Sequence, residues 1–297
     1  MAHCGEKGEH AVCKVADRMR HYALRYFINK KEEKMGQKYE TILYEKDEHI
    51  LKITLNRPER HNAINKQLST ELNSALLEAK SDDEVRAIII TGAGKSFCSG
   101  VDLKEFYGRG VTALETRDFH QVFYREMTDI QNNLGKPTIA ALNGATIAAG
   151  CSVAFSCDVL IASEKCFIGY AEINVGVMAA LHLVLVPRLI GRHKAFELLV
   201  SGDNITAKQA AKMGLINRVV PPDSLEKEAY DLARKFASKS PLLLKFYKDC
   251  FYTVADMEYR KGLAYVIEAL GVLVTSEDHK EGVRAFMEKR APVWTGR

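Results

Sequence analysis

The chain has no apolar run long enough to cross a bilayer, no net charge over most of its length and no regular spacing among its cysteines. Each absence removes a class of protein. The longest apolar stretches, such as residues 179–186, are short and carry His182, whereas a spanning helix needs about 20 consecutive apolar residues, so a soluble protein with no membrane partner is expected. The formal charge of +4 is accounted for by residues 1–38, which hold nine Lys/Arg against five Asp/Glu; the remainder carries 33 of each sign and offers no basic footprint for nucleic acid. The seven cysteines are odd in number, and Cys151, Cys157 and Cys166 lie inside apolar runs. That is the usage of reduced thiols in a cytoplasmic protein, not of a disulfide framework.

What is present suffices for a core: 47% hydrophobic residues in a chain of 297 can fill one large domain or two ordinary ones. Residues 1–38 read as an N-terminal appendage. Their Cys4, His10, Cys13 and His21 lack the spacing of a zinc finger, so no metal is expected. The appendage also lacks the apolar segment of a secretory signal, and its acidic residues argue against a transit peptide. Residues 14–34 fit a basic amphipathic helix or simply a solvated face. The fold is expected to begin after Met35-Gly36.

From there the periodicity alternates. Two short strands around residues 42–44 and 50–55 are expected to be joined by a polar turn and ended by Pro58. Residues 61–80 space Ile64, Leu68, Leu72, Leu76 and Leu77 as one face of a helix, and residues 85–91 are a continuous apolar strand. This order implies an α/β unit with a parallel sheet. The unit then recurs. A polar loop is expected over residues 107–115, an amphipathic helix over 117–133, a strand and turn over 137–144, a helix over 151–156 and strands near 158–162 and 166–168. Repeated passes of this kind suggest a spiral. After Leu183 helical patterns and caps dominate, so residues 39–200 are read as the core and 201–297 as a helical C-terminal lobe.

The stretch at residues 143–176 organises the candidate site. Ala148, Ala149 and Gly150 put small residues at a loop-to-helix junction, and Glu172 follows about twenty residues on. Small residues there let a ligand approach backbone N–H groups that lack intrahelical partners, which is how an oxyanion site is built. They would equally serve close helix packing.

Five segments carry a resemblance: LNRPERHNAIN (55–65), KSFCSGVDLKEF (95–106), KPTIAALNGATIAAGCSVAFSCDVLIAS (136–163), FIGYAEINVGV (167–177) and HKEGVRAFMEKRAPVW (279–294). In this order they resemble the crotonase superfamily, the enoyl-CoA hydratase/isomerase family, over residues 39–294. The resemblance implies an α/β spiral of repeated ββα units with a helical C-terminal lobe, assembled as homotrimers or hexamers. It also implies an acyl-CoA substrate and no separate cofactor, coenzyme A being part of the substrate. Carried over by motif, two backbone N–H groups that stabilise an enolate fall at Val101, after Ser99-Gly100, and at Ala149, before Gly150. Asp102 takes the position that supports the oxyanion turn. Arg60, Ala63 and Ser99 would hold the adenine end of coenzyme A, and Lys289 its phosphates.

The resemblance also frames the chemistry. Hydratases of the family present two glutamates to one water; here the second position is Glu172, but the first is Ser152. A turn of the PGxGGT type after the glutamate is replaced by the apolar GVMAALHLVLVPRLIG (176–191). Both departures resemble single-glutamate Δ3,Δ2-enoyl-CoA isomerases, in which one base moves a proton from C2 to C4. The apolar wall is expected to raise the pKa of Glu172 by desolvation. The alternatives are a hydratase using Glu172 alone and a non-catalytic acyl-CoA binder. His182 is expected to be structural, and Cys98 and Cys151 to be small fillers beside the donor turns.

Overall fold

The computed structural model describes residues 39–107, 110 and 112–297. The appendage at residues 1–38 and part of the loop expected over residues 107–115 lie outside the described residues. The chain opens with β1 (Ile42–Asp47) and β2 (Ile50–Leu55), an antiparallel pair, and α1 (Lys66–Ser81). This helix buries Leu68, Leu72, Ala75, Leu76 and Ala79, and the Asn65 side chain caps it by accepting the Leu68 N–H at 2.9 Å. It starts five residues later than its apolar spacing predicts, because His61 and Asn62 take left-handed backbone (φ 52° and 56°) and no helix can run through them.

Next come β3 (Ala87–Gly92), β4 (Ser96–Cys98), α2 (Leu103–Tyr107), α3 (Ala113–His120) and α4 (Met127–Asn132). The expected loop is therefore partly helical. Thr112 and Glu115 form a capping box that starts α3 four residues early, and a π-helical stretch, Gln121–Glu126, joins it to α4. The chain continues through β5 (Thr138–Leu142), β6 (Ala145–Ile147), α5 (Ala149–Phe155), β7 (Val159–Ser163) and β8 (Phe167–Gly169). Then follow α6 (Ala180–Ile190), α7 (Arg192–Ser201), β9 (Asn204–Thr206), α8 (Ala207–Met213) and β10 (Arg218–Val220). Four helices complete it: α9 (Leu225–Ala237), α10 (Pro241–Val254), α11 (Tyr259–Leu273) and α12 (Glu277–Glu288).

Two sheets result, one ordered β1-β2-β3-β5-β7-β10 and one ordered β4-β6-β8-β9. From β3 to β8, each strand of the large sheet is followed by a strand of the small one and, after β4 and β6, by helix. The path is the expected spiral. Strands β2, β3, β5, β7 and β10 run parallel, as do β4, β6 and β8. The large sheet is covered on both sides, which explains the unbroken apolar run of β3. Ile53, Ile88, Ile90 and Leu142 belong to the main core with α1, and Ile50, Ile89, Ile139 and Ile161 pack under Leu225, Ala229 and Ala233 of α9. Residues 201–220 are not purely helical, for β9 and β10 extend the two sheets.

Buried polar groups tie the helical lobe to the spiral. The Lys248 Nζ donates to Asp158 Oδ2 at 2.8 Å and to the Lys136 carbonyl at 3.0 Å, and the Tyr252 hydroxyl donates to the other Asp158 oxygen at 2.6 Å. Asp278 accepts from the Ser240 hydroxyl at 2.6 Å and from the Thr295 N–H at 2.8 Å, which fastens the C-terminal tail. Among the described residues no helix is long and apolar enough to cross a membrane.

Candidate active site

The small sheet positions the site. Because β4, β6 and β8 are parallel neighbours, residues 99–101, 148–150 and 170–172 leave the sheet at the same end. This brings the Val101 turn, the Ala149 turn and Glu172 side by side, although about seventy residues separate the first from the last. The packing between the first two turns is close enough to dictate glycine. A Cβ on Gly150 would fall 2.3 Å from the Cys98 carbonyl oxygen, and one on Gly100 would fall 3.0 Å from the Ala148 Cβ.

The backbone of each turn is held open to the site. Ala148 has φ 53° and ψ −122°, a conformation that costs a non-glycine residue of order 1–3 kcal/mol and persists only where the surroundings impose it. Here the Ala148 N–H donates to the Gly169 carbonyl at 2.9 Å and its carbonyl accepts from Cys151 at 2.8 Å. The next amide, Ala149 N–H, begins α5 and makes no backbone hydrogen bond among the described residues. Neither does Val101 N–H, since in the Ile64/Val101 bridge the bonds run from Ile64 N–H to Gly100 and from Asp102 N–H to Ile64. Two unpaired amides thus stand on adjacent turns.

The Val101 turn is braced from behind. The Arg57 Nη2 donates to Asp102 Oδ2 at 3.1 Å, and its Nη1 donates to the Ala63 carbonyl at 2.5 Å. Burial alone would raise the Asp102 carboxyl; the Glu105 N–H and the Arg57 guanidinium outweigh it and hold the group below its ordinary value. Asn62 is fully buried, accepting from Arg57 N–H at 2.9 Å and donating to the Ala93 and Ser96 carbonyls. Arg57 and Asn62 are supports that the sequence reading missed. Both lie within the quoted 55–65 segment, and the signal available was a buried-type Asn at a turn needing left-handed backbone.

Glu172 sits in a short 3-10 turn, Ala171–Val175, directly after β8. Its Oε2 is buried without a hydrogen-bond partner, and burial raises its pKa, opposed only by its own backbone N–H. The expected direction is therefore found. The Cys151 thiol, in the first turn of α5, is pushed far up, first by burial and then by the Glu172 charge. Cys98 is likewise buried and pushed up to about 12 by desolvation. Neither thiol is a nucleophile at neutral pH.

Ser152 and His182 are fully buried, at 0% and 1% exposure, and the Ser152 Oγ lies 2.9 Å from His182 Nε2. Desolvation lowers the His182 pKa to about 4, so the ring is neutral. The remaining predicted residues are peripheral to this centre. Arg60 is exposed on the turn whose carbonyl accepts the Ser99 hydroxyl at 3.4 Å, and Ala63 is buried behind it. Lys289 is the exposed left-handed cap of α12, with no hydrogen bond or ion pair to the Val101 and Ala149 turns among the described residues. No cluster able to hold a metal is found among the described residues.

Residues 45–297 match the family model described as enoyl-CoA hydratase/isomerase. A probable enoyl-CoA hydratase of Mycobacterium tuberculosis is 36% identical over 260 residues, covering 87% of this chain and 99% of that one. A short-chain-enoyl-CoA hydratase of Clostridium acetobutylicum is 34% identical over 255 residues, covering 84% and 95%. The crystal structure of an enoyl-CoA hydratase from Bacillus anthracis superposes with a TM-score of 0.82 at 32% identity, over 87% of this chain and all of that one. A fold that gathers two free amides and a desolvated carboxylate is thus matched in sequence from residue 45 to the C-terminus and in backbone along a whole solved relative, and the chain belongs to the enoyl-CoA hydratase/isomerase family, the crotonase superfamily.

Proposed function

We propose that the protein binds an enoyl-CoA thioester and moves its double bond from C3 to C2. The Val101 and Ala149 N–H groups receive the thioester oxygen. Glu172 takes a proton from C2, the electron pair flows into the carbonyl to give a dienolate, and the same carboxyl returns the proton at C4 as the carbonyl reforms. Amides aimed at a developing oxyanion are worth roughly 3–4 kcal/mol each in other enzymes. One observation carries the choice of reaction: Ser152, where hydratases of the family carry their other glutamate, is hydrogen-bonded to a neutral imidazole. Neither member of that pair is a carboxylate able to activate water.

The names of the relatives favour a second reading, hydration of a 2-enoyl thioester. Purified protein supplied separately with 3-enoyl-CoA and 2-enoyl-CoA separates the two. Isomerase activity predicts loss of the 3-enoyl ester without net water uptake, whereas hydration of the 2-enoyl ester as the faster reaction would reverse the assignment. Turnover of neither ester would favour a non-catalytic acyl-CoA binder. The coenzyme A end is read as lying along Arg60, Ala63 and Ser99, with Lys289 on its phosphates. Free coenzyme A should then inhibit competitively, and an absence of inhibition would remove this part.

The working form is read as a homotrimer or hexamer. Ile173, Val175, Met178, Leu183, Val184 and Phe196 are exposed around α6 and α7, and further apolar side chains line α11 and α12. Exposed large apolar side chains in this number are what an interaction face would cover. Light scattering coupled to gel filtration should give three or six chain masses; a monomer at micromolar concentration would contradict this.

A further inference from the structure

His182 lies on α6, outside the three turns of the site, yet it touches two of the elements that form them. Its Nε2 is 2.9 Å from the Ser152 Oγ, in the first turn of α5, the helix that begins with the Ala149 N–H. Its ring packs edge-on against Tyr170, with centroids 4.7 Å apart, and Tyr170 lies two residues before Glu172 at the end of β8. Phe155, at the far end of α5, closes another side of the imidazole at 6.0 Å. The Nδ1 atom is buried with no hydrogen-bond partner among the described residues.

We infer that His182 is a positioning residue that fixes the Ala149 N–H relative to the Glu172 carboxylate, acting through Ser152 on one side and Tyr170 on the other. The inference rests on the proposed roles of Ala149 and Glu172. With its proton on Nδ1, the ring accepts the Ser152 hydroxyl at Nε2, and this bond anchors the first turn of α5, which begins with the Ala149 N–H. The need for such a brace follows from the strained backbone at Ala148, which relaxes unless its surroundings over-determine it. A neutral ring suits the task, since the Ser152–His182 hydrogen bond is stronger in a water-free interior than it would be in solvent. A buried imidazolium would instead compete with the two amides for the negative charge that forms on the substrate.

The test uses His182→Phe, which keeps an aromatic ring against Tyr170 and Phe155 but removes the Ser152 partner, and Ser152→Ala, a smaller change that removes the same bond from the other end. Turnover of the enoyl-CoA ester and the infrared carbonyl stretch of a bound saturated acyl-CoA are measured for each. In the wild type the two amides should lower the carbonyl frequency. Both variants are expected to lose most of that shift and to drop in kcat by about 10- to 100-fold, as misplacement of a reacting group by about 1 Å does elsewhere, with KM little changed. The double variant should be no worse than either single one, because one hydrogen bond is being removed twice. His182→Gln, whose amide can reach Ser152, should recover part of the loss. Full carbonyl shift and kcat in both single variants, or a change in KM alone, would overturn the inference and leave the proposed function standing. An unshifted carbonyl in the wild type would refute the oxyanion assignment itself, and the inference with it.

Discussion

Glu172→Gln is expected to lower kcat by about 10³-fold or more, in line with the 10²- to 10⁴-fold that a positioned proton-transfer group contributes, while making the folded protein more stable at neutral pH. The two effects share one cause. The carboxylate is desolvated, its Oε2 has no hydrogen-bond partner, and its pKa is raised by that burial. A carboxyl whose folded pKa exceeds its unfolded value favours folding in its protonated form. Its contribution is complete below the unfolded pKa and is lost as pH rises through the folded one. At neutral pH the wild type therefore carries an ionised group that the fold disfavours, and the neutral amide of the variant does not. The variant's advantage in melting temperature should vanish in acid and grow as pH rises through the raised pKa. Wild-type turnover should follow the same titration, because the base must be ionised, with its acidic limb above the ordinary carboxylate value. A variant less stable than the wild type at pH 7 would show that the Glu172 carboxylate is held by favourable contacts.

Gly150→Ala should be among the most damaging small substitutions available. Helix propensity alone predicts the reverse, since alanine is better than glycine in a helix by about 1 kcal/mol. The close approach of the two turns decides the sign. The added Cβ would meet the Cys98 carbonyl oxygen at 2.3 Å and its carbonyl carbon at 2.9 Å, and these belong to strand backbone that cannot swing aside. Overpacking of a core costs typically 1–3 kcal/mol, which exceeds the propensity gain. The relaxation open to the fold is to move α5 away from β4, and that carries the Ala149 amide away from the Val101 amide. A displacement of about 1 Å is enough to cost 10²-fold in rate. Denaturant midpoint and kcat/KM should therefore fall together; a stabilised, active variant would mean that the turns are farther apart than described.

The large sheet was readable because its strands are long enough to show a pattern. The unbroken apolar run ending at Thr91 and the small-residue strand at Thr138–Leu142 carry their burial in their composition. The small sheet was mostly not. Its members Ser96–Cys98, Ala145–Ile147 and Asn204–Thr206 are three residues each, too short for any period, and two of them looked like turns beside glycine. Yet this sheet is what aligns the candidate site. Ala149 and Glu172 stand out in the sequence as small residues at a loop-to-helix junction with a carboxylate after them, Val101 only through motif resemblance, and the reason they meet is the parallel pairing of β4, β6 and β8. Two supports were hidden for a related reason. The Ser152–His182 bond joins residues thirty apart, and the grip of Arg57 on Asp102 joins residues forty-five apart. The starts of α1 and α3 differ from their apolar spacing for local reasons, the left-handed pair His61-Asn62 and the Thr112-Glu115 box.

The strand order of the large sheet, β1-β2-β3-β5-β7-β10, never reverses along the chain. From β2 to β7 each ladder of this sheet therefore closes between segments one winding apart, and the loop entropy of adding a strand depends on the length of that winding and not on how much chain precedes it. In this respect the spiral behaves like a solenoid, whose stability is close to a sum over neighbouring repeats. An architecture of that kind can vary in one winding without re-registering the others. Beyond Asp102, replacement of the helical segment between β4 and β5 is thus open to natural variation in a way that the interiors of β4, β6 and β8 are not.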